Sequence, residues 1–313
     1  MASRLLPAAM RPHVAAVYAF ARVADDVADE GTVTPEERQS RLRDWQARLH
    51  RAVNGRLEPG QAFAPGPSHQ PDPPFVPDSA TDTSDAACRT DQPDAADNDL
   101  LVVAIAHTIR SHNLPLALFD DLLSAFGQDT MTSRYDSWHE LLDYCRRSAN
   151  PIGRLVLRIA GRTSAMLDRS SDALCTALQL TNFWQDFGRD WHAGRLYVPR
   201  EVSGACGASE ESLPTPGHAR YAQAGPVLPE AWADAIGRCV DFTRRLFDEG
   251  RPVCDGVSGR LRYELRLTWL GGRRILDRVD TTRVDLLWRR PTLGAADMPV
   301  LAWQAARWRG MAA

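Results

Sequence analysis

The stretch VYAFARVADDVADE (17–30) constrains this chain more than any other. Val14, Val17, Tyr18, Phe20, Ala21, Val23, Ala24, Val27 and Ala28 cover every side of a helix, the pattern of a buried one. Asp25, Asp26 and Asp29 share that helix with a single base, Arg22. Burying an unpartnered carboxylate costs on the order of several kcal/mol. Asp25 and Asp29, at i and i+4, leave one face about 5–6 Å apart. At an effective dielectric near 20 they repel by roughly 3 kcal/mol. A cation must share the site, or one carboxyl stays protonated. Arg22 can neutralise one charge, not three.

The second instance is QLTNFWQDFGRDW (179–191), where Asn182, Asp186 and Asp190 fall at i, i+4 and i+8 among Leu178, Leu180, Phe183, Trp184, Phe187 and Trp191. Two apolar helices, each with a stripe of oxygen ligands, suggest a shared cavity in a helical bundle. Hard oxygen donors without histidine or cysteine point to Mg²⁺, which takes one or two carboxylates and completes its shell with water and substrate phosphate. A solvated charge stripe and a metal-free acid–base pair are alternatives. A di-iron bundle would need Glu-x-x-His pairs, and none occurs.

Elsewhere the pattern is helical, with hardly any strand alternation, so an all-α fold is expected. Helices are predicted over 38–53, 99–111, 115–126, 137–159, 172–190, 230–249 and 259–279. Asn150-Pro151 and Gly153 must kink or break the fourth. Residues 54–99 hold eight prolines, nine acids and two arginines, a composition unable to bury enough apolar surface, and are expected to form a disordered insertion. A single catalytic domain with an irregular tail over 280–313 completes the expectation.

The insertion carries a balance of −7 and the remainder +4; all 37 basic residues are arginine, which pairs well with phosphates. No basic face interleaves with aromatics, so nucleic acid is not an expected partner. Six cysteines without a C-x-x-C pair suggest neither zinc nor a disulfide framework, hence a reducing, cytoplasmic setting. No signal peptide or membrane span is expected.

On these residues the chain resembles the squalene/phytoene synthase family, from about Ser3 to Val279 without the insertion. YAFARVADDVADE is similar to its first motif, D-D-x-x-D. Gln179, Asn182, Asp186 and Asp190, followed by GRLYVP (194–199), are similar to its second. The resemblance implies an isoprenoid-synthase (class I terpenoid synthase) helical bundle around a central cavity. It implies that Asp25, Asp29, Asn182, Asp186 and Asp190 bind Mg²⁺, three ions in all, and that the four aspartates are catalytic. Arg22 would contact a diphosphate and Gln179 the isoprenoid. Tyr144, Cys145 and Gly153, in YCRRSANPIG, would line a hydrocarbon tunnel, and Tyr18 and Tyr197 would join the substrate-binding set. Arg189 and Arg195 are candidates for the diphosphate, Arg189 equally for a surface pair.

Within the family, NFWQD and LRLTWLGGRRIL (265–276) look most like the hydroxysqualene-forming members of bacterial hopanoid pathways. Phytoene-type members generally carry arginine where Gln185 stands and a tyrosine near Gly272. The implied reaction opens presqualene diphosphate and captures the cation with water. It needs no NADPH, and pathway enzymes would supply the substrate and take the product. Other head-to-head products, or an assembly factor that has lost catalysis, are the alternatives. The family's N-terminal flap with a Phe-Ser pair is not seen before ASRLLP, and a start codon assigned too late is the expected reason.

Several residues have plainer readings. Arg22 could be an intrahelical partner of Asp26, and Asp26 supports rather than ligates. Trp184 and Trp191 suit a core, and Cys145 suits a small buried apolar group. The tail LLWRRP and WQAARWRG suits solvent, or peripheral contact with an anionic membrane surface.

Overall fold

The computed structural model describes residues 5–29, 33–55, 95–215, 225 and 227–308; at Asp29 and residues 95–98 it describes the backbone alone. The insertion therefore lies mostly outside the described residues. Its last residues, 95–99, belong instead to a helix.

All regular elements among the described residues are helical: α1 (Arg11–Asp29), α2 (Pro35–Val53), α3 (Ala95–His112), α4 (Leu116–Asp129), α5 (Trp138–Ser148), α6 (Asn150–Ile159), α7 (Ala165–Gln185), α8 (Phe187–His192), α9 (Arg200–Ala205), α10 (Glu230–Gly250), α11 (Val253–Gly256), α12 (Gly259–Thr281) and α13 (Asp297–Ala306). The all-α expectation holds. The tail is not irregular throughout, because α13 lies within it.

Local chemistry sets the boundaries. Thr34 caps α2, its hydroxyl accepting from the Glu37 N–H at 3.3 Å, with Pro35 and two glutamates in the first turn. Ser137 caps α5 in the same way through Glu140. The break expected at Asn150-Pro151 occurs at Ala149, where φ is −111° and ψ −45°. Pro151 then fits the first turn of α6, where its missing N–H costs nothing.

The α6–α7 hairpin is fastened by two guanidinium–carboxylate forks. Arg154 meets Asp172 at 2.9 and 2.5 Å, and Arg158 meets Asp168 at 2.9 and 2.8 Å. Buried Thr176 donates to the Asn150 side chain at 2.9 Å. α7 forms the central post, packed on α6, α10 and α12. Trp184, fully buried, donates its indole N–H to Thr243 of α10 at 2.9 Å, so its polar atom is satisfied inside the core. α12 crosses closely at Gly272, where an added Cβ would come within 2.5 Å of Leu178 and 2.8 Å of Phe247.

Candidate active site

The second acidic stripe survives a break in its helix. α7 ends at Gln185 and α8 begins at Phe187, with Asp186 between them at φ −95° and ψ 12°. The single helix expected over 172–190 is therefore two, beginning earlier at Ala165 and interrupted at Asp186. The junction keeps the i→i−4 bonds: the Asp186 N–H donates to Asn182 O at 2.9 Å, and the Asp190 N–H to Asp186 O at 2.8 Å. Asn182, Asp186 and Asp190 thus stay in successive turns. Asn182 is exposed, Asp186 buried and Asp190 half-buried.

A distant segment seals this junction. Arg290 forks onto both carboxylate oxygens of Asp186, its Nη2 at 3.1 Å from Oδ2. The Gln185 amide donates to Pro291 O at 2.5 Å. The Gly188 N–H donates to Leu286 O at 3.1 Å. A Cβ on Gly188 would sit 2.4 Å from the Leu286 and Leu287 carbonyl oxygens, so no larger residue admits this turn so close. Burying the Asp186 carboxylate is offset by that guanidinium. Arg290 was not among the expected site residues; a guanidinium 104 positions away leaves no trace in local spacing.

Two apolar cavities adjoin α7. One, of about 680 Å³, lies between α7, α12 and α13, with Asn182 and Gln185 at its polar end and Leu267, Gly271 and Leu301 along its wall. The other, of about 340 Å³, lies between α1, α6, α7 and α12 and is lined by Tyr18, Gly153, Val156 and Cys175. Leu178 and Thr268 border both. The helices carrying the two aspartate motifs therefore wall neighbouring cavities. Such volumes suit a small-molecule ligand. Burial pushes the Cys175 thiol up to about 11, so it lines its cavity as a neutral group.

On α1, Arg22 pairs with Asp25 at 2.9 Å and with Asp26 at 2.7 Å, all three at the solvent edge. The plain intrahelical reading of Arg22 is thus realised alongside a contact to the motif aspartate. The Asp29 side chain lies outside the described residues. Tyr18 and Gly153 border the smaller cavity. Tyr144 and Cys145 line neither cavity: Cys145 is fully buried, where desolvation pushes its thiol well up, and the Tyr144 hydroxyl donates to Asp129 at 2.6 Å.

Asp129 gathers a further group. Tyr144, Tyr135 and Tyr197 surround it, and Tyr197 stacks on Phe183 at 3.7 Å between centroids. Burial first, then the Asp129 and Asp190 carboxylates, push the Tyr197 phenol far up, so it stays protonated beside the second stripe. The Arg195 N–H donates to Asp190 O at 2.7 Å, and its side chain lies close enough to counter that rise. Gln179 is half-buried and Arg189 exposed, and neither borders the two cavities.

The donors fit magnesium. Asn182, Asp186 and Asp190 offer side-chain oxygens to a cation, and Arg290, which supplies the positive charge beside Asp186 here, stands where a cation would have to compete. No three His, Cys, Asp or Glu groups among the described residues form a ready-made metal cage. Mg²⁺ does not need one, because water and phosphate fill most of its octahedron.

A model of the squalene/phytoene synthase family matches residues 1–297. The chain belongs to that family. It is 35% identical to a hydroxysqualene synthase of Zymomonas mobilis over 214 residues, 68% of this chain and 58% of that protein. It is 32% identical to a 15-cis-phytoene synthase of Pantoea ananas over 270 residues, 86% of this chain and 71% of that one. The crystal structure of squalene synthase HpnC from Alicyclobacillus acidocaldarius superposes with a TM-score of 0.68 at 32% identity, covering 88% of this chain and 85% of that chain. The match to the hydroxysqualene synthase spans little more than half of that protein's length. The fold is the helical isoprenoid-synthase bundle, and magnesium-assisted ionisation of a diphosphate is the general chemistry of that class.

Proposed function

We propose that this protein converts presqualene diphosphate to hydroxysqualene, within hopanoid biosynthesis. The observation that carries the reading is the Asn182–Asp186–Asp190 stripe, held in register across a helix break; Asn182 alone of the three borders the larger apolar cavity, and Asp186 and Asp190 follow it in the next two turns. Asp25 and Asp29 on one side and Asn182, Asp186 and Asp190 on the other would hold Mg²⁺, three ions in all. Bound there, the metal neutralises the charge that develops on the departing diphosphate. Arg22, Arg189 and Arg195 would steady the same group. The apolar walls, with Tyr18 and Gly153, would orient the hydrocarbon and keep out all but one water; Gln179, outside both cavities here, would meet the isoprenoid beyond them.

The electron balance supports a reaction without NADPH. One carbon–oxygen bond to diphosphate breaks, the cyclopropane rearranges and opens to an allylic cation, one carbon–oxygen bond to water forms, and a proton leaves; nothing is oxidised or reduced overall. The resemblance of NFWQD supports the hydroxysqualene branch over the phytoene one, since Gln185, whose amide donates to Pro291 O, stands where the phytoene type carries a guanidinium. Incubation with presqualene diphosphate and Mg²⁺, with and without NADPH, should give hydroxysqualene in both. Turnover of farnesyl diphosphate to a C30 product would assign a broader head-to-head synthase. Intact cellular function in Asp25→Ala would assign a non-catalytic role.

A further inference from the structure

Residues 291–306 carry one charged side chain, Asp297, and it points inward. Only 4% exposed, it accepts from the Gly294 N–H, from Arg274 and from Arg278, each at 2.7 Å. That leaves the outer face of α13 without charge. Trp303 is 58% exposed, Met298 50% and Val300 39%, with Pro299 and Ala306 exposed beside them. Contiguous apolar surface of this kind marks an interaction site rather than scattered exposure.

The same helix is the wall of the larger cavity. Met298, Leu301 and Ala302 line it from within, and half-exposed Met298 stands at its lip. Inside and outside are both apolar, with one helix between them. The rim is basic and aromatic. The Arg307 guanidinium lies 5.0 Å over the Trp303 ring. Trp308 sits between Arg251 and Arg266 at 4.7 and 5.5 Å, and Asp255, paired with Arg266 at 2.9 Å and accepting from the Trp308 indole, is the acid among them. Arg260 bonds Leu5 O at the cavity's opposite lip. An uncharged helical face ending in tryptophan and arginine is suited to the headgroup boundary of an anionic bilayer. No helix among the described residues is long and apolar enough to cross a membrane, so the contact is one of lying on the surface.

We propose that the outer face of α13 docks the protein on an anionic lipid surface and opens the cavity between α7, α12 and α13 toward the acyl layer. A hydrocarbon held there would leave into lipid without crossing water. The exit route rests on the proposed function; the docking does not. Charge complementarity selects the occupant: the rim arginines (Arg251, Arg260, Arg266 and Arg307) outnumber Asp255, which pairs with Arg266, so a second copy would bring like charge against like around an uncharged centre, whereas anionic headgroups meet it favourably.

The test is co-sedimentation of the full chain with vesicles of phosphatidylcholine alone or mixed with phosphatidylglycerol. The wild type should sediment with the mixed vesicles and weaken as salt rises. Trp303→Glu should reduce partitioning about tenfold or more, and Val300→Glu likewise, each with unchanged circular dichroism. Absence of the wild type from the mixed-vesicle pellet, or equal sedimentation of both variants, would overturn the proposal. So would a dimer in light scattering that Trp303→Glu abolishes, which would give the face to a second copy. Sedimentation needs no turnover: a chain that binds vesicles but leaves presqualene diphosphate intact keeps the docking and loses the function, and the opposite result does the reverse.

Discussion

Arg290 and Asp186, 104 positions apart, close a two-pronged ion pair over the junction of α7 and α8. Asp186 is 9% exposed in its side chain and Arg290 39%, so the pair is half shielded and worth more than a surface contact. The guanidinium and a divalent cation compete for one carboxylate. Arg290→Met should therefore tighten binding of Mn²⁺ to the substrate-free protein several-fold, read by electron paramagnetic resonance. It should also cost about 1–3 kcal/mol of stability, because a buried carboxylate loses its hydrogen-bond partner. An unchanged Mn²⁺ affinity would mean that ion and guanidinium do not share Asp186.

Gly188 makes that seating possible. Its missing side chain is where two backbone carbonyls pass, and backbone cannot rotate aside as a flexible side chain can. Gly188→Ala should lower unfolding free energy by roughly 1–3 kcal/mol and loosen the tail. Chemical denaturation reads the first, and faster amide exchange over residues 286–290 reads the second. Gly204→Ala, where nothing stands within 4 Å, serves as the control and should change little.

Much of this was legible in local spacing. The i, i+4, i+8 stripe placed Asn182, Asp186 and Asp190 in successive turns because the junction preserves the helical hydrogen bonds. Asn150-Pro151 announced its own break, and Trp184 and Trp191 went to the core as their apolar neighbours required. The interruption at Asp186 left no signal, since its cause is the tail arriving from residues 286–291. The Tyr144 hydroxyl donates to an acceptor, Asp129, fifteen positions away, a pairing that no local spacing shows. α13 was hidden because its apolar residues face outward as well as inward, which erases the amphipathic period that marks a surface helix.

The second stripe should be indispensable to turnover. Asp190→Asn preserves shape and removes charge, so the protein should fold while product formation falls by about 10²–10³, the range for losing one electrostatic stabiliser of a leaving oxygen. Circular dichroism and product analysis separate the two effects. Activity within about twofold of wild type would remove Asp190 from the reacting centre.

His13 should make the α1–α3 contact sensitive to mild acid. Burial first, then His112 and His107, hold its imidazole below the usual value of 6.5. Its Nδ1 lies 3.0 Å from the Thr108 hydroxyl, and its ring meets His112 edge-on at 4.3 Å. A base with a depressed folded pKa stabilises the fold above its unfolded value, and that contribution is lost as pH falls through the lower one. The melting temperature should therefore fall as pH drops below 6.5, before the carboxylates titrate. His13→Asn should flatten that slope, and an identical slope would place the sensitivity elsewhere.

Leu178 is the partition between the two cavities. Its side chain leans over Gly272, and both neighbouring spaces end on it and on Thr268. Leu178→Ala should join the spaces at a cost near 2 kcal/mol, the low end for a leucine truncation because the residue is only half-buried. The enlarged chamber should accept longer chains. Turnover of the C40 analogue, prephytoene diphosphate, relative to presqualene diphosphate should rise roughly tenfold, the scale on which apolar pockets discriminate by size. Gly272→Tyr should act in the opposite sense, since even a Cβ at that position presses Leu178 and Phe247. A ratio indifferent to both substitutions would show that chain length is read elsewhere in the bundle.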